Sequence, residues 1–108
     1  MIAPRNLPGG SDCIGYAVTS VAGRDKKRDF LIVGICEEKA YGGMVYIADG
    51  QLRRIDAPKR KKLMHLKMHG PADEAIIARI KDGAVTDSEI REAIRAALGH
   101  KEFYESNV

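Results

Sequence analysis

The sequence predicts an α+β fold, in which a small, strongly bent barrel of five short β-strands precedes a two-helix C-terminal extension. Short apolar runs separated by polar turns fill residues 14–68, and helical periodicity replaces them after residue 71. The 108 residues, 44% hydrophobic and 31% charged, suit one compact core. Five short strands are too few for a broad sandwich, and a barrel protects their edges from pairing with other chains.

The strands are predicted from apolar runs and turn residues. Residues 14–21 (IGYAVTSV) and 30–36 (FLIVGIC) are the first two strands, and the charged residues between them form a loop. MVYIAD and LRRID are predicted to pair as a hairpin about Asp49 and Gly50, since both residues tolerate positive φ. LMHLKM is the predicted fifth strand.

Two amphipathic helices are predicted after the strands. The first covers residues 73–81, begins with acids that suit its N-terminal dipole and ends at Gly83. The second begins with the capping-box residues Thr86 and Glu89 and ends before Gly99. Its apolar stripe consists of Ile90, Ala93, Ile94, Ala97 and Leu98.

We expect the chain to divide into a flexible lead-in (1–12), a barrel (13–70) and a helical extension (71–108). The sequence has neither an apolar run of membrane-spanning length nor a secretory signal, so we expect a cytoplasmic protein that does not contact membranes. Cys13 and Cys36 are too few for a disulfide framework, and we expect them to be reduced and mostly buried.

Charge is unevenly distributed. Residues 1–71 carry 13 Lys and Arg against 7 Asp and Glu, whereas residues 72–108 carry 5 against 8. Such asymmetry favours a body that binds a polyanion.

The cations of the body form two groups. The first basic group is Arg24, Lys26, Lys27 and Arg28. The second basic group is Arg53, Arg54, Lys59, Arg60, Lys61 and Lys62, with Lys67 just beyond. Cations near phosphates release condensed counterions and so bind nucleic acid with salt-sensitive affinity. A solvated charged face, or a solubilising linker at KRKK, is the alternative explanation.

Nothing in the sequence favours catalysis, a cofactor or a metal. It contains no phosphate-binding Gly-rich loop, no Gly-x-Ser-x-Gly and no His-Glu-x-x-His. His65 and His69 lie four apart, but they flank a strand-like segment and have no third ligand nearby. We therefore expect a non-enzymatic protein with no cofactor and no metal site.

Residues 14–36, IGYAVTSVAGRDKKRDFLIVGIC, resemble the KOW motif, and YIADGQLRRIDAPKRKKLMHLKMHG resembles the segment that follows it in KOW-containing RNA-binding proteins. These are similar to the eukaryotic- and archaeal-type large-subunit ribosomal proteins fourteen, six and twenty-seven and to small bacterial relatives. The resemblance covers residues 14 to about 70.

The resemblance implies an SH3-like barrel that binds ribosomal RNA through the KOW loop and neighbouring basic residues. The residues that match the motif's opening strand and loop are Gly15, Gly23, Arg24, Asp25, Lys26 and Arg28, and the second basic group and His65 match the later segment. Lys27 stands where many KOW motifs have glycine, so a positive φ there would strain the backbone by roughly 1 kcal/mol. Among the aromatic residues, Tyr41 is the best candidate to stack on a base.

The leading hypothesis is a ribosomal or ribosome-associated protein that binds the rRNA backbone. The alternative is a protein-interaction module of the transcription or translation machinery, with a partner docked on the barrel groove or the C-terminal helix. Exposure of Ile90, Ile94 and Leu98 would favour that alternative.

Overall fold

The computed structural model describes the backbone of residues 13–37 and 43–106 and the side chains of residues 13–36 and 43–98. A five-stranded antiparallel sheet followed by two helices confirms the predicted α+β class. The strands are β1 (Tyr16–Ser20), β2 (Asp29–Glu37), β3 (Met44–Ala48), β4 (Lys59–Lys62) and β5 (Leu66–Pro71). A 3-10 turn (Leu63–His65) precedes β5, and the helices are α1 (Glu74–Lys81) and α2 (Asp87–Ser106).

The sheet has the strand order β4-β3-β2-β1-β5, so β4 and β5 are its two edges. Five flat strands would place these edges about 19 Å apart. The three residues of the 3-10 turn join β4 to β5, and even fully extended they span only about 14 Å. The sheet must therefore be strongly curled, although no pairing between its edges closes it within the described residues.

The curled sheet buries apolar side chains on both faces. Val18, Phe30, Ile32 and Ile47 point to one side, where Leu63 and Leu66 join them. Alternate residues of the same strands, including Ala17, Leu31 and Ala48, point to the other side and pack against the helices. Burial on both faces explains why β2 is a nearly continuous apolar run.

Both helices contribute side chains to the apolar cluster on the second face of the sheet. Ile80 of α1 and Ile90 and Ala93 of α2 are buried in it, and Leu98 is 5% exposed. Most of the predicted stripe of α2 is thus packed inward, with Ile94 half-buried beside it, whereas Ala97 is exposed. Gly15, at φ +90°, lies directly under the side chain of Ile77, so the close approach of α1 leaves no room for a larger residue there.

The start of α2 confirms the predicted capping box. The Thr86 amide donates to Glu89 Oε1 at 3.0 Å, and the Glu89 amide donates to Thr86 Oγ1 at 3.2 Å. The bond from the Thr86 amide, followed by one from Arg79, lowers the pKa of Glu89. Gly83 adopts φ +73° just after α1, as predicted for a helix stop.

One predicted strand and two predicted element boundaries are wrong. LRRID is part of an irregular loop (49–58), and the basic run KRKK instead forms β4, because it pairs with β3 in the register Ile47↔Lys59 to Met44↔Lys62. LMH is a 3-10 turn, so the fifth strand begins only at Leu66. The backbone of α2 continues past Gly99 to Ser106, since one glycine costs a helix only about 1 kcal/mol.

Cys13 and Cys36 are not joined in a disulfide with each other; Cys13 is buried, as predicted, whereas Cys36 is half-buried. The predicted lead-in lies outside the described residues. Neither α1 nor the described part of α2 is long and apolar enough to cross a membrane.

Candidate nucleic-acid interface

The first basic group and the start of the second lie at one end of the sheet. In a run of antiparallel strands, alternate connections return to the same end, so the β1–β2 loop (21–28) and the β3–β4 loop (49–58) are neighbours. The first loop carries the first basic group, and the second loop leads into β4 with the second group. Direct contacts between the loops then set the geometry of this end.

Asp25 is the centre of those contacts. It is 6% exposed, and its Oδ2 accepts a hydrogen bond from Lys59 Nζ and lies 3.7 Å from an Arg53 terminal nitrogen. The bond from Lys59, together with the charges of Lys59, Arg53 and Lys61, holds the pKa of Asp25 below its ordinary value of 3.8, against the opposite effect of burial. The carboxylate therefore ties the first loop to the second basic group.

Lys61 makes a second link between the two groups. Its side chain is buried, and Nζ donates to the Ala22 carbonyl at 2.8 Å. A methyl group at Gly23, where φ is +78°, would lie 3.1 Å from the same Nζ. Lys61 and Lys59 thus direct their charges into the junction between β4 and the first loop, although β3 separates β4 from β2 in the sheet.

The first loop is closed by its own backbone. The Arg28 amide donates to the Asp25 carbonyl at 2.9 Å, and the Lys27 amide donates to the Ser20 carbonyl at 2.7 Å. Lys27 adopts φ +73°, the left-handed conformation anticipated if it occupies the usual glycine position. Its side chain is exposed, so this position adds a cation at the base of the loop.

The second loop is organised by Asp49. Its Oδ1 accepts hydrogen bonds from the amides of Gln51 at 2.9 Å and Arg53 at 2.8 Å. These bonds fix the turn that was predicted to join two strands of a hairpin. Asp49 Oδ2 lies 3.7 Å from an Arg28 terminal nitrogen, which links the second loop directly to the first. Asp25 and Asp49 have side-chain exposures of only 8% and 11%, so the acids lie beneath the cations.

Helix α2 supports the second loop from the side. Asp87 Oδ1 accepts a hydrogen bond from the Ile55 amide at 2.7 Å, and Asp87 Oδ2 accepts one from Arg54 Nε at 3.2 Å. Arg91 donates to the Gly50 carbonyl at 2.6 Å. The loop therefore has a fixed position relative to the helix.

The predicted binding residues differ in their surroundings. Several are exposed and form no side-chain hydrogen bond or ion pair with any described residue: Arg24, Lys26, Lys27, Lys62 and Lys67. Arg60 lies opposite Tyr46 in the register, on the face away from Lys59 and Lys61, and Lys67 lies on β5 at the other edge. His65 is half-buried, and its carbonyl accepts the Val21 amide at 2.9 Å. Tyr41 lies outside the described residues.

The two loops and β4 keep a strong positive balance. Residues 22–29 and 49–62 contain ten Lys and Arg and four Asp and Glu, a formal difference of +6. The exposed cations of the first loop thus lie beside ion pairs whose carboxylates are largely buried. Such a surface attracts phosphates without requiring any base-specific contact.

Arg91 and Arg95 border this end as well, and sequence analysis did not single them out. They lie four residues apart on α2, a spacing that places both on one helix face. That spacing was the available signal, but only the tertiary contact with Gly50 shows that the face meets the second loop.

Among the residues with described side chains, no group of three or more His, Cys, Asp and Glu residues could hold a metal ion. In comparisons with known proteins, no protein-family model and no curated protein matches the chain. The geometry of the basic end therefore carries the functional argument.

Proposed function

We propose that this chain is a non-enzymatic RNA-binding protein. Within that class, we propose a KOW-type protein that is ribosomal or ribosome-associated, acts in the cytoplasm and contacts the rRNA backbone through both basic groups. The observation that carries the proposal is the junction at Asp25, where Lys59 and Arg53 meet the loop that holds the first group.

An SH3-like barrel is the architecture we propose for residues 13–70. Four strands in sequence order, with the fifth returning to pair with the first, support this assignment. So does the 3-10 turn that joins the two edge strands over a short distance. The contacts of β4 side chains with the β1–β2 loop are those expected when such a sheet curls onto itself.

The proposed mode of binding is recognition of backbone shape. Exposed cations such as Arg24 and Lys26 are available to phosphates, and buried carboxylates hold their loop in place before RNA arrives. Preorganisation of this kind reduces the entropy lost on binding. Phosphate contacts fix the position of the protein on an RNA but do not distinguish one base from another. Specificity therefore comes from the shape of the bound RNA.

The protein-interaction alternative receives less support. Ile90 and Leu98 are buried against the rest of the molecule and Ile94 is half-buried, so the three residues whose exposure would favour a docked partner are not open together. No observation on the described residues favours a protein in the groove of the sheet.

The salt dependence of affinity for a ribosomal RNA fragment tests the proposal. On single strands, the logarithm of affinity should fall with the logarithm of salt by about 0.7 per neutralised phosphate. The variant Arg24→Gln/Lys26→Gln should reduce that slope by about 1.4 if each cation meets one phosphate. Lys81→Gln, which removes an exposed cation from α1, is the matched control and should leave the slope unchanged.

Sedimentation of cell extract at low and high salt tests the ribosomal role. Co-migration with large subunits that is lost at high salt would support a peripheral ribosome-associated factor. A flat salt dependence in the binding assay, or no association with either rRNA or ribosomes, would contradict the proposal.

A further inference from the structure

An open cleft of about 300 Å³ lies where the two loops meet α2. Lys27 and Arg28 line it from the first loop, and Arg91 and Arg95 line it from the helix. Ile94 contributes an apolar patch between the two helix arginines. Three separate segments of the chain thus surround one concave site.

The walls of the cleft are fixed in the absence of a ligand. Arg91 holds the Gly50 carbonyl at 2.6 Å, and a methyl group at Gly50 would overlap the Asp87 carbonyl oxygen. Arg28 is placed by its contact with Asp49. Since both loops are anchored, a ligand does not have to order them when it binds.

Two of the four cations that line the cleft are not used in contacts with the described part of the protein. Lys27 and Arg95 are exposed, and their side chains make no hydrogen bond or ion pair with the described residues. They are therefore available to a phosphate, to which an Arg can donate two parallel hydrogen bonds.

Other groups in the cleft do not suit phosphate alone. Asp29 lines it, and because its Oδ1 accepts the Thr19 hydroxyl at 2.6 Å, Oδ2 is left as an acceptor. A carboxylate repels phosphate but accepts a hydrogen bond from the exocyclic amino group of a base. The planes of guanidinium groups and an apolar surface such as Ile94 favour packing against the flat face of an unpaired base.

We propose that this cleft receives one unpaired nucleotide of the bound RNA. Lys27 and Arg95 hold its phosphate, while its base packs on Ile94 and the arginine planes with its edge towards Asp29. The volume is at the lower end of small-ligand pockets, enough for one nucleotide and too small for a duplex. The inference rests on the proposed RNA-binding function and makes α2 part of the interface.

The test compares two RNA hairpins that differ by a single bulged cytidine. The wild type should bind the bulged hairpin about tenfold more tightly than the fully paired one. Arg95→Gln should reduce this ratio to about one, and since Gln and Arg have similar helix propensities, thermal unfolding should not change. Lys62→Gln removes an exposed cation outside the cleft and should weaken binding of both hairpins equally, with the ratio kept.

The inference is overturned if the wild type binds both hairpins with equal affinity, or if Arg95→Gln retains the preference for the bulge. Either result leaves the proposed RNA-binding function intact. If the wild type binds neither hairpin nor a ribosomal RNA fragment, the proposed function fails and the inference fails with it.

Discussion

Replacing Asp25 with Asn should destabilise the protein by about 1–3 kcal/mol. The substitution keeps the size of the side chain but removes the charge that Lys59 and Arg53 share. Breaking a buried ion pair costs about 3–5 kcal/mol. Here the side chains of Lys59 and Arg53 are 27% and 39% exposed, so water can solvate them and the cost is smaller.

Urea denaturation of wild type and Asp25→Asn measures this cost at several pH values. Because the folded-state pKa of Asp25 is lowered, its contribution is fully present above the unfolded value near 3.8 and is lost as pH falls through the folded pKa. The difference in unfolding free energy should stay constant from about pH 7 to pH 5 and shrink below about pH 4.

Asp56→Asn is the matched control, since Asp56 is exposed in the β3–β4 loop and should cost less than about 0.5 kcal/mol. Equal stability of Asp25→Asn and the control at neutral pH would refute the assigned role of Asp25. A difference that does not shrink in acid would also refute it.

Two further substitutions test the loops by thermal unfolding. Gly50→Ala should destabilise the protein by about 2–4 kcal/mol, since the added methyl group overlaps the Asp87 carbonyl. Gly83→Ala, at a position with a similar φ but open space around it, should cost only about 1 kcal/mol. Equal costs would contradict the close contact between the second loop and α2. Lys27→Gly should stabilise the protein by up to about 0.5 kcal/mol, because relief of the left-handed strain exceeds the entropy cost of glycine. A loss of stability would show that Lys27 is not strained.

Local sequence chemistry was enough to predict the elements whose ends are fixed locally. Thr86 and Glu89 form their capping bonds within one turn, so the start of α2 was predictable. Strand β2 was predictable because its apolar run has to be buried wherever it lies in the fold.

Strand β4 was not predictable, because its identity depends on distant partners. A run of four cations has no apolar alternation, and it becomes a strand by pairing with β3 and directing Lys59 and Lys61 to Asp25 and Ala22. The same holds for the site. The basic groups could be identified from the sequence, but the acids beneath them and the arginines of α2 join the site only through tertiary contacts.

The central claim is that two distant segments form one RNA-binding surface, and NMR titration with a ribosomal RNA fragment tests it most directly. Backbone amides of residues 22–28 and 53–62 should shift together, with the same dependence on RNA concentration, while those of α1 stay unchanged. Shifts confined to one of the two segments, or different apparent affinities for each, would contradict a single surface.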